Sequence, residues 1–187
     1  MQAISVRGLW AGLLAVGAVA VAVIGVTGSA SAEQAQAAKT AKLKMAVQGQ
    51  KLDFFGPESV DKGQKLEIVN KTSVGEIGPH TFTLVDPKLV DSGKERKRCA
   101  QFRGKLCQNV LEAHQVGPPP DFPVGKPNLD KGKKGWDKEF TKTKKGDSWF
   151  TDERGATETR RVKADAGDTI GYFCLVHPFM RGKLEVK

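Results

Sequence analysis

An all-β fold, a β-sandwich, is the architecture that the sequence predicts, on three observations. Roughly six to eight short segments carry apolar residues at alternate positions or in brief β-rich runs, with Gly, Pro and Asp-Lys-Gly clusters between them. Sustained helical periodicity is scarce. The composition, with 21 Gly, 9 Pro and 9 Phe, suits a chain of strands and turns. Segments of this kind bury one face of each strand against a second sheet.

The strands are read in chain order. Residues 43–47, 51–55 and 65–69 come first, the last with Leu66 and Ile68 alternating. Residues 80–85 (HTFTLV) follow directly after Gly78-Pro79 and place Phe82 and Leu84 on one face. Residues 149–150 and 157–162 are two further strands. Residues 169–175 and 182–186 form the last pair, joined by the tight segment His177-Pro178-Phe179-Met180.

The length, 187 residues, fits one domain at 41–187. Residues 9–26 form an apolar run of 18 residues, preceded by Arg7 and followed by Ala30-Ser31-Ala32. That pattern reads as a signal peptide over 1–32, cleaved before Glu33, with 33–40 as a flexible lead. The run is also just long enough to span a bilayer, so an uncleaved anchor is the alternative and the only expected route to membrane association. On either reading the chain is exported to a periplasmic, cell-envelope or secreted location.

An exported chain with three cysteines has one to spare. The simplest arithmetic pairs Cys99 with Cys107 and leaves Cys174 for chemistry. On a continuous helix their eight-residue separation would span about 12 Å, too far for a disulfide, so the chain must turn back, and Arg103-Gly104 is the natural turn. Two unpaired thiols are the other possibility. Both cysteines fall in residues 87–147, a basic stretch without sustained alternation that reads as a long insert. It holds 15 Lys and Arg against 8 Asp and Glu, +7 of the mature +8 that remains once Arg7 is removed from the chain total of +9. Its lysine-rich part, 131–145, reads either as a solvated loop or as a surface that steers toward an acidic protein partner or an anionic envelope surface. Nucleic acid is not an expected partner of an exported chain with only Trp136 and Phe140 interleaved among these lysines.

The chemistry lies in Cys174-Leu175-Val176-His177-Pro178-Phe179-Met180. A thiolate, an imidazole and a thioether within seven residues are the ligands that select copper, and a Cys with two His and a weak axial Met defines a mononuclear blue-copper (type 1) site. The second histidine comes from elsewhere, and only His80 and His114 are available. His80 is favoured because it opens a strand after Gly78-Pro79, whereas His114 lies in the basic stretch near Pro118-Pro119-Pro120.

The segment Cys174-x-x-His177-Pro178-Phe179-Met180-Arg181-Gly182-Lys183 resembles the cupredoxin family, and its short ligand loop is similar above all to that of amicyanin. Val69-Asn70 and Gly78-Pro79-His80 resemble the family's first-ligand region. The resemblance covers about half the chain. It implies a Greek-key β-sandwich of about eight strands, with His80, Cys174 and His177 as strong equatorial ligands and Met180 as the weak axial one. It also implies an apolar patch at Pro178 and Phe179 beside His177. Thr81 departs from the Asn often found after the first ligand, and the basic stretch has no counterpart in amicyanin. The expected function is single-electron transport between protein redox partners by one copper ion, without enzymatic activity; copper delivery through the same ligands is the alternative. Three histidines cannot build a multicopper oxidase centre.

Overall fold

In the computed structural model, which describes residues 39–117, 129–132 and 134–187, the chain opens on a hairpin. Strand β1 (Ala41–Gln48) buries Leu43 and Met45 and turns Lys42 and Lys44 outward, the period of two that one buried face requires. Gly49, at φ +60°, makes the tight turn into β2 (Lys51–Phe55), with Gln48 opposite Lys51. The short strand β3 (Ser59–Val60) and β4 (Lys65–Asn70) follow, then a single turn α1 (Val74–Ile77) and β5 (His80–Val85).

The chain next forms three helical segments, α2 (Pro87–Val90), α3 (Gly93–Ala100) and α4 (Lys105–His114). It returns to strands with β6 (Asp130–Lys131), β7 (Ser148–Thr151), β8 (Thr157–Arg161), β9 (Thr169–Phe173) and β10 (Arg181–Val186). One sheet has the order β2-β1-β4-β8 and the other β3-β10-β9-β5-β7-β6. The pairs β1–β4 and β3–β10 are parallel and the others antiparallel. Sequence neighbours such as β4 and β5 therefore lie in different sheets, as Greek-key connections require. The expected β-sandwich is present.

Two apolar cores fill the molecule. The first lies between the sheets and contains Leu43, Met45, Ile68, Phe82, Leu84, Tyr172 and Leu184. The second lies on the outer face of the larger sheet, where Val85, Phe150 and Phe173 meet Leu106, Val110 and Leu111 of α4. With both faces covered, every residue of β5 and β7 is buried.

The stretch 87–147 differs from its reading as an irregular insert. Its described part carries α2, α3 and α4, because Leu106, Cys107, Val110, Leu111 and Ala113 make one buried helical face. A disulfide joins Cys99 to Cys107 at a Cα–Cα separation of 5.5 Å, so the chain does turn back between the two helices. Trp136 and Phe140 are fully buried, which anchors the lysine-rich segment to the body of the protein. Trp136 donates its Nε1–H to the Leu66 carbonyl and packs edge-on against Phe82. The segment 1–32 expected to be a signal peptide, nearly all of the expected lead and the triple proline lie outside the described residues.

Candidate metal centre

The candidate site is built where β5 begins and β9 ends. Gly78, at φ +89°, and Pro79 turn the chain so that His80 is the first residue of β5. Cys174 immediately follows β9, and its pairing with β5 brings the two strand ends together. The loop from Cys174 to Met180 is closed by two backbone hydrogen bonds, Cys174 N–H to the Met180 carbonyl (2.9 Å) and Met180 N–H to the His177 carbonyl (2.8 Å). One short loop thus carries three of the four expected ligands.

Three of the four converge. Cys174 Sγ lies 3.8 Å from His80 Nδ1 and 3.8 Å from His177 Nδ1, and all three donor atoms fall within 4.8 Å of one another. His80 and Cys174 are fully buried and His177 partly so. Met180 is also fully buried and packs in the same core as Cys174. His114, the other histidine available as a ligand, is not in this group; it lies buried in the last turn of α4.

The hydrogen bonds fix which nitrogen of each ring faces the sulfur. The Thr72 hydroxyl donates to Asn70 Oδ1 at 2.7 Å, so it has only lone pairs left for His80 Nε2, 2.7 Å away. His80 therefore carries its proton on Nε2 and aims a free Nδ1 lone pair into the site. His177 Nε2 lies 2.9 Å from the Ile77 carbonyl, which can only accept, so its Nδ1 is free as well. Outer partners that orient a ligating imidazole in this way are the usual companions of metal sites.

Charge is disfavoured on all three groups while no metal neutralises it. Burial, and secondarily the neighbouring His177, lower the His80 pKa to about 4. Burial also lowers that of His177, against the hydrogen bond to Ile77. The Cys174 thiol is pushed up by burial, opposed by hydrogen bonds from the Thr81, His177 and Val176 backbones and from the Thr81 side chain. One sulfur and two correctly oriented imidazole nitrogens, with a thioether buried beside them, fit a copper ion, whose binding would displace the thiol proton.

The His80 shift has a measurable consequence for the metal-free protein. Its folded pKa of about 4 lies below the unfolded value of 6.5, so its stabilisation is complete above pH 6.5 and is lost as pH falls toward 4. Urea unfolding should show a loss of about 2–3 kcal/mol between pH 7 and pH 4.5. His80→Asn should flatten that dependence.

The sequence motif and Gly78-Pro79-His80 pick out the three side chains that converge, but not the groups that orient them. Thr72 and the Ile77 carbonyl carry no motif, and only the fold brings them against the histidines. Asn70, already noted for its resemblance, accepts from Thr72 and donates its side-chain amide to the Glu153 carbonyl.

No protein-family model matches the chain, and no curated protein matches it. Among solved structures the chain is similar to auracyanin B, at 18% identity, with 79% of this chain and 88% of that one covered and a TM-score of 0.42. It is similar to auracyanin A, a "blue" copper protein of Chloroflexus aurantiacus, at 17% identity, covering 80% and 98%, with a TM-score of 0.37. A purple cupredoxin from Nitrosopumilus maritimus shares 12% identity over 79% and 99%, again with a TM-score of 0.37. These are distant likenesses of fold, and the chemistry of the site rests on its own geometry.

Proposed function

We propose that His80, Cys174, His177 and Met180 hold one type 1 copper ion and that the protein carries single electrons between protein partners outside the cytoplasm. The observation that carries this reading is the convergence of the Cys174 sulfur with two Nδ1 atoms whose opposite nitrogens are tied to Thr72 and Ile77. When bound, copper supplies a one-electron change between Cu(II) and Cu(I). The residues supply everything else. Cys174 would give a thiolate, His80 and His177 neutral nitrogens, and Met180 a weak thioether sulfur. The hydrogen bonds to both histidines and across the loop keep these groups in place through the redox change.

Phe179, 56% exposed, has its ring 5.7 Å from His177, and this edge is the proposed face for electron exchange. The seven lysines of residues 131–145 favour an acidic partner. The short ligand loop resembles that of amicyanin in sequence alone, and the apolar segment within 1–32 is read as the export signal. Two of the three histidines are assigned to the site, and the one that remains, His114, is too few for a second histidine-rich copper cluster, so a carrier suits the chain better than a multicopper enzyme. Burial of His80, Cys174 and Met180 also favours a carrier over a delivery protein, which must release its ion.

Voltammetry of the copper-loaded protein, paired with a Cu(I) competition, tests the carrier reading. Fast reversible exchange with copper retained against an acceptor protein is expected. Slow exchange with ready transfer of the ion would assign delivery instead.

A further inference from the structure

The third histidine is not idle. Thr81 and Thr83 are two apart on β5 and so share the face opposite Phe82 and Leu84. The register of β5 with β7 puts Ser148 directly across from Thr83. The second core packs α4 over this face, and His114 meets Ser148 there. All four side chains are 0% exposed.

Together they make a continuous chain. His114 Nε2 lies 2.8 Å from Ser148 Oγ, which lies 2.7 Å from Thr83 Oγ1, which in turn lies 3.1 Å from Thr81 Oγ1. At the far end Thr81 holds Cys174 and its neighbour. Its backbone N–H donates to Cys174 Sγ at 3.3 Å, and its hydroxyl accepts from Leu175 N–H at 2.7 Å.

Counting protons sets the direction. Thr83 gives its only hydroxyl proton to Thr81, so it must accept from Ser148. Ser148 then has no proton left for His114, and His114 must donate from Nε2. The Thr81 hydroxyl is then held from two sides, accepting from Thr83 and from the Leu175 N–H. Were His114 to accept at Nε2, Ser148 and Thr83 would reverse, and Thr83 could no longer donate to Thr81. Aligned donors in a dry interior strengthen one another, by perhaps 10–30% per bond.

We propose that His114 is a positioning residue for the Cys174 sulfur, acting through Ser148, Thr83 and Thr81 to hold in place the Thr81 backbone N–H that donates to it. This rests on the copper reading and extends it, since hydrogen bonds around the cysteine sulfur tune the potential of a blue-copper site. Donors to the thiolate reduce its donation to the metal, so weakening them favours Cu(II).

The test uses His114→Phe, which keeps a ring against Phe150 but has no donor, and His114→Gln, which restores an N–H. In the metal-free wild type, nitrogen NMR should show His114 protonated at Nε2. His114→Phe should move the Thr81 and Leu175 amide signals, and His114→Gln should return them toward wild type. With copper bound, His114→Phe should shift the visible band and move the equilibrium with a redox mediator toward Cu(II) by about two- to tenfold, with partial rescue by His114→Gln. Thr83→Val breaks the chain at its middle and should shift both in the same direction, which keeps the test open should His114→Phe not fold. An unprotonated Nε2, or folded variants with unmoved amide signals and band, would overturn the proposal. Amide shifts in a protein that takes up no copper would support the chain and instead refute the copper reading.

Discussion

Cys174→Ala should abolish the intense blue colour expected of the copper-loaded protein while leaving the fold intact. The colour of a blue-copper site comes from the covalent bond between metal and thiolate, and Cys174 is the one cysteine outside the disulfide. Its side chain is small, so alanine removes a single buried sulfur and should cost only about 1–2 kcal/mol of stability. The backbone bond from residue 174 to the Met180 carbonyl that closes the loop does not involve the side chain. Changes in outer partners of metal ligands cost about 10–100-fold in affinity, and loss of the thiolate should exceed that. Absorption spectra and copper titrations, with circular dichroism as the control for folding, measure both halves of this result.

Arg160→Ala should destabilise the protein by about 3–5 kcal/mol, the usual consequence of removing one member of a buried charged cluster. Arg160 extends from β8 in the smaller sheet to the β6–β7 edge of the larger one. Its Nε–H donates to Glu158 Oε1 at 2.6 Å, and Nη1 donates to the Lys131 carbonyl at 2.6 Å. Its Nη2 reaches Asp130 Oδ1 at 2.9 Å and the Ser148 carbonyl at 3.4 Å. The guanidinium also lies 4.1 Å from the centre of the Trp136 ring. A lysine cannot reproduce this planar fork, so Arg160→Lys should recover only part of the loss. Chemical denaturation of the two variants at one pH measures the difference.

The parts of this protein that were legible in its sequence are those written in local spacing. Alternation in HTFTLV marked β5, and Cys174-x-x-His177-x-x-Met180 marked the site, because neighbouring residues on one strand and loop carry the signal. Groups joined by the fold alone were not legible. Thr72 and Ile77 reach His80 and His177 across sequence gaps that no pattern encodes. The helices over the larger sheet were hidden for a different reason. α3 buries only Glu95 and Cys99, so it lacks an apolar stripe, and the density of Lys and Gly around it resembled a loop. One signal was available there: Ser92 and Glu95 stand at capping-box spacing, and the Ser92 side chain does accept from the Glu95 amide. With α4 unread, His114 appeared to sit in a mobile stretch, when it packs at the end of a buried helical face.

The proposed copper chemistry depends above all on which atoms surround the ion. X-ray absorption at the copper edge of the loaded protein measures that directly. One short sulfur and two imidazole nitrogens at bonding distance, with the second sulfur long and weak, is the predicted shell, and His80→Ala should lose one nitrogen from it. A shell of nitrogen and oxygen alone, or one that survives unchanged in Cys174→Ala, would contradict the assignment.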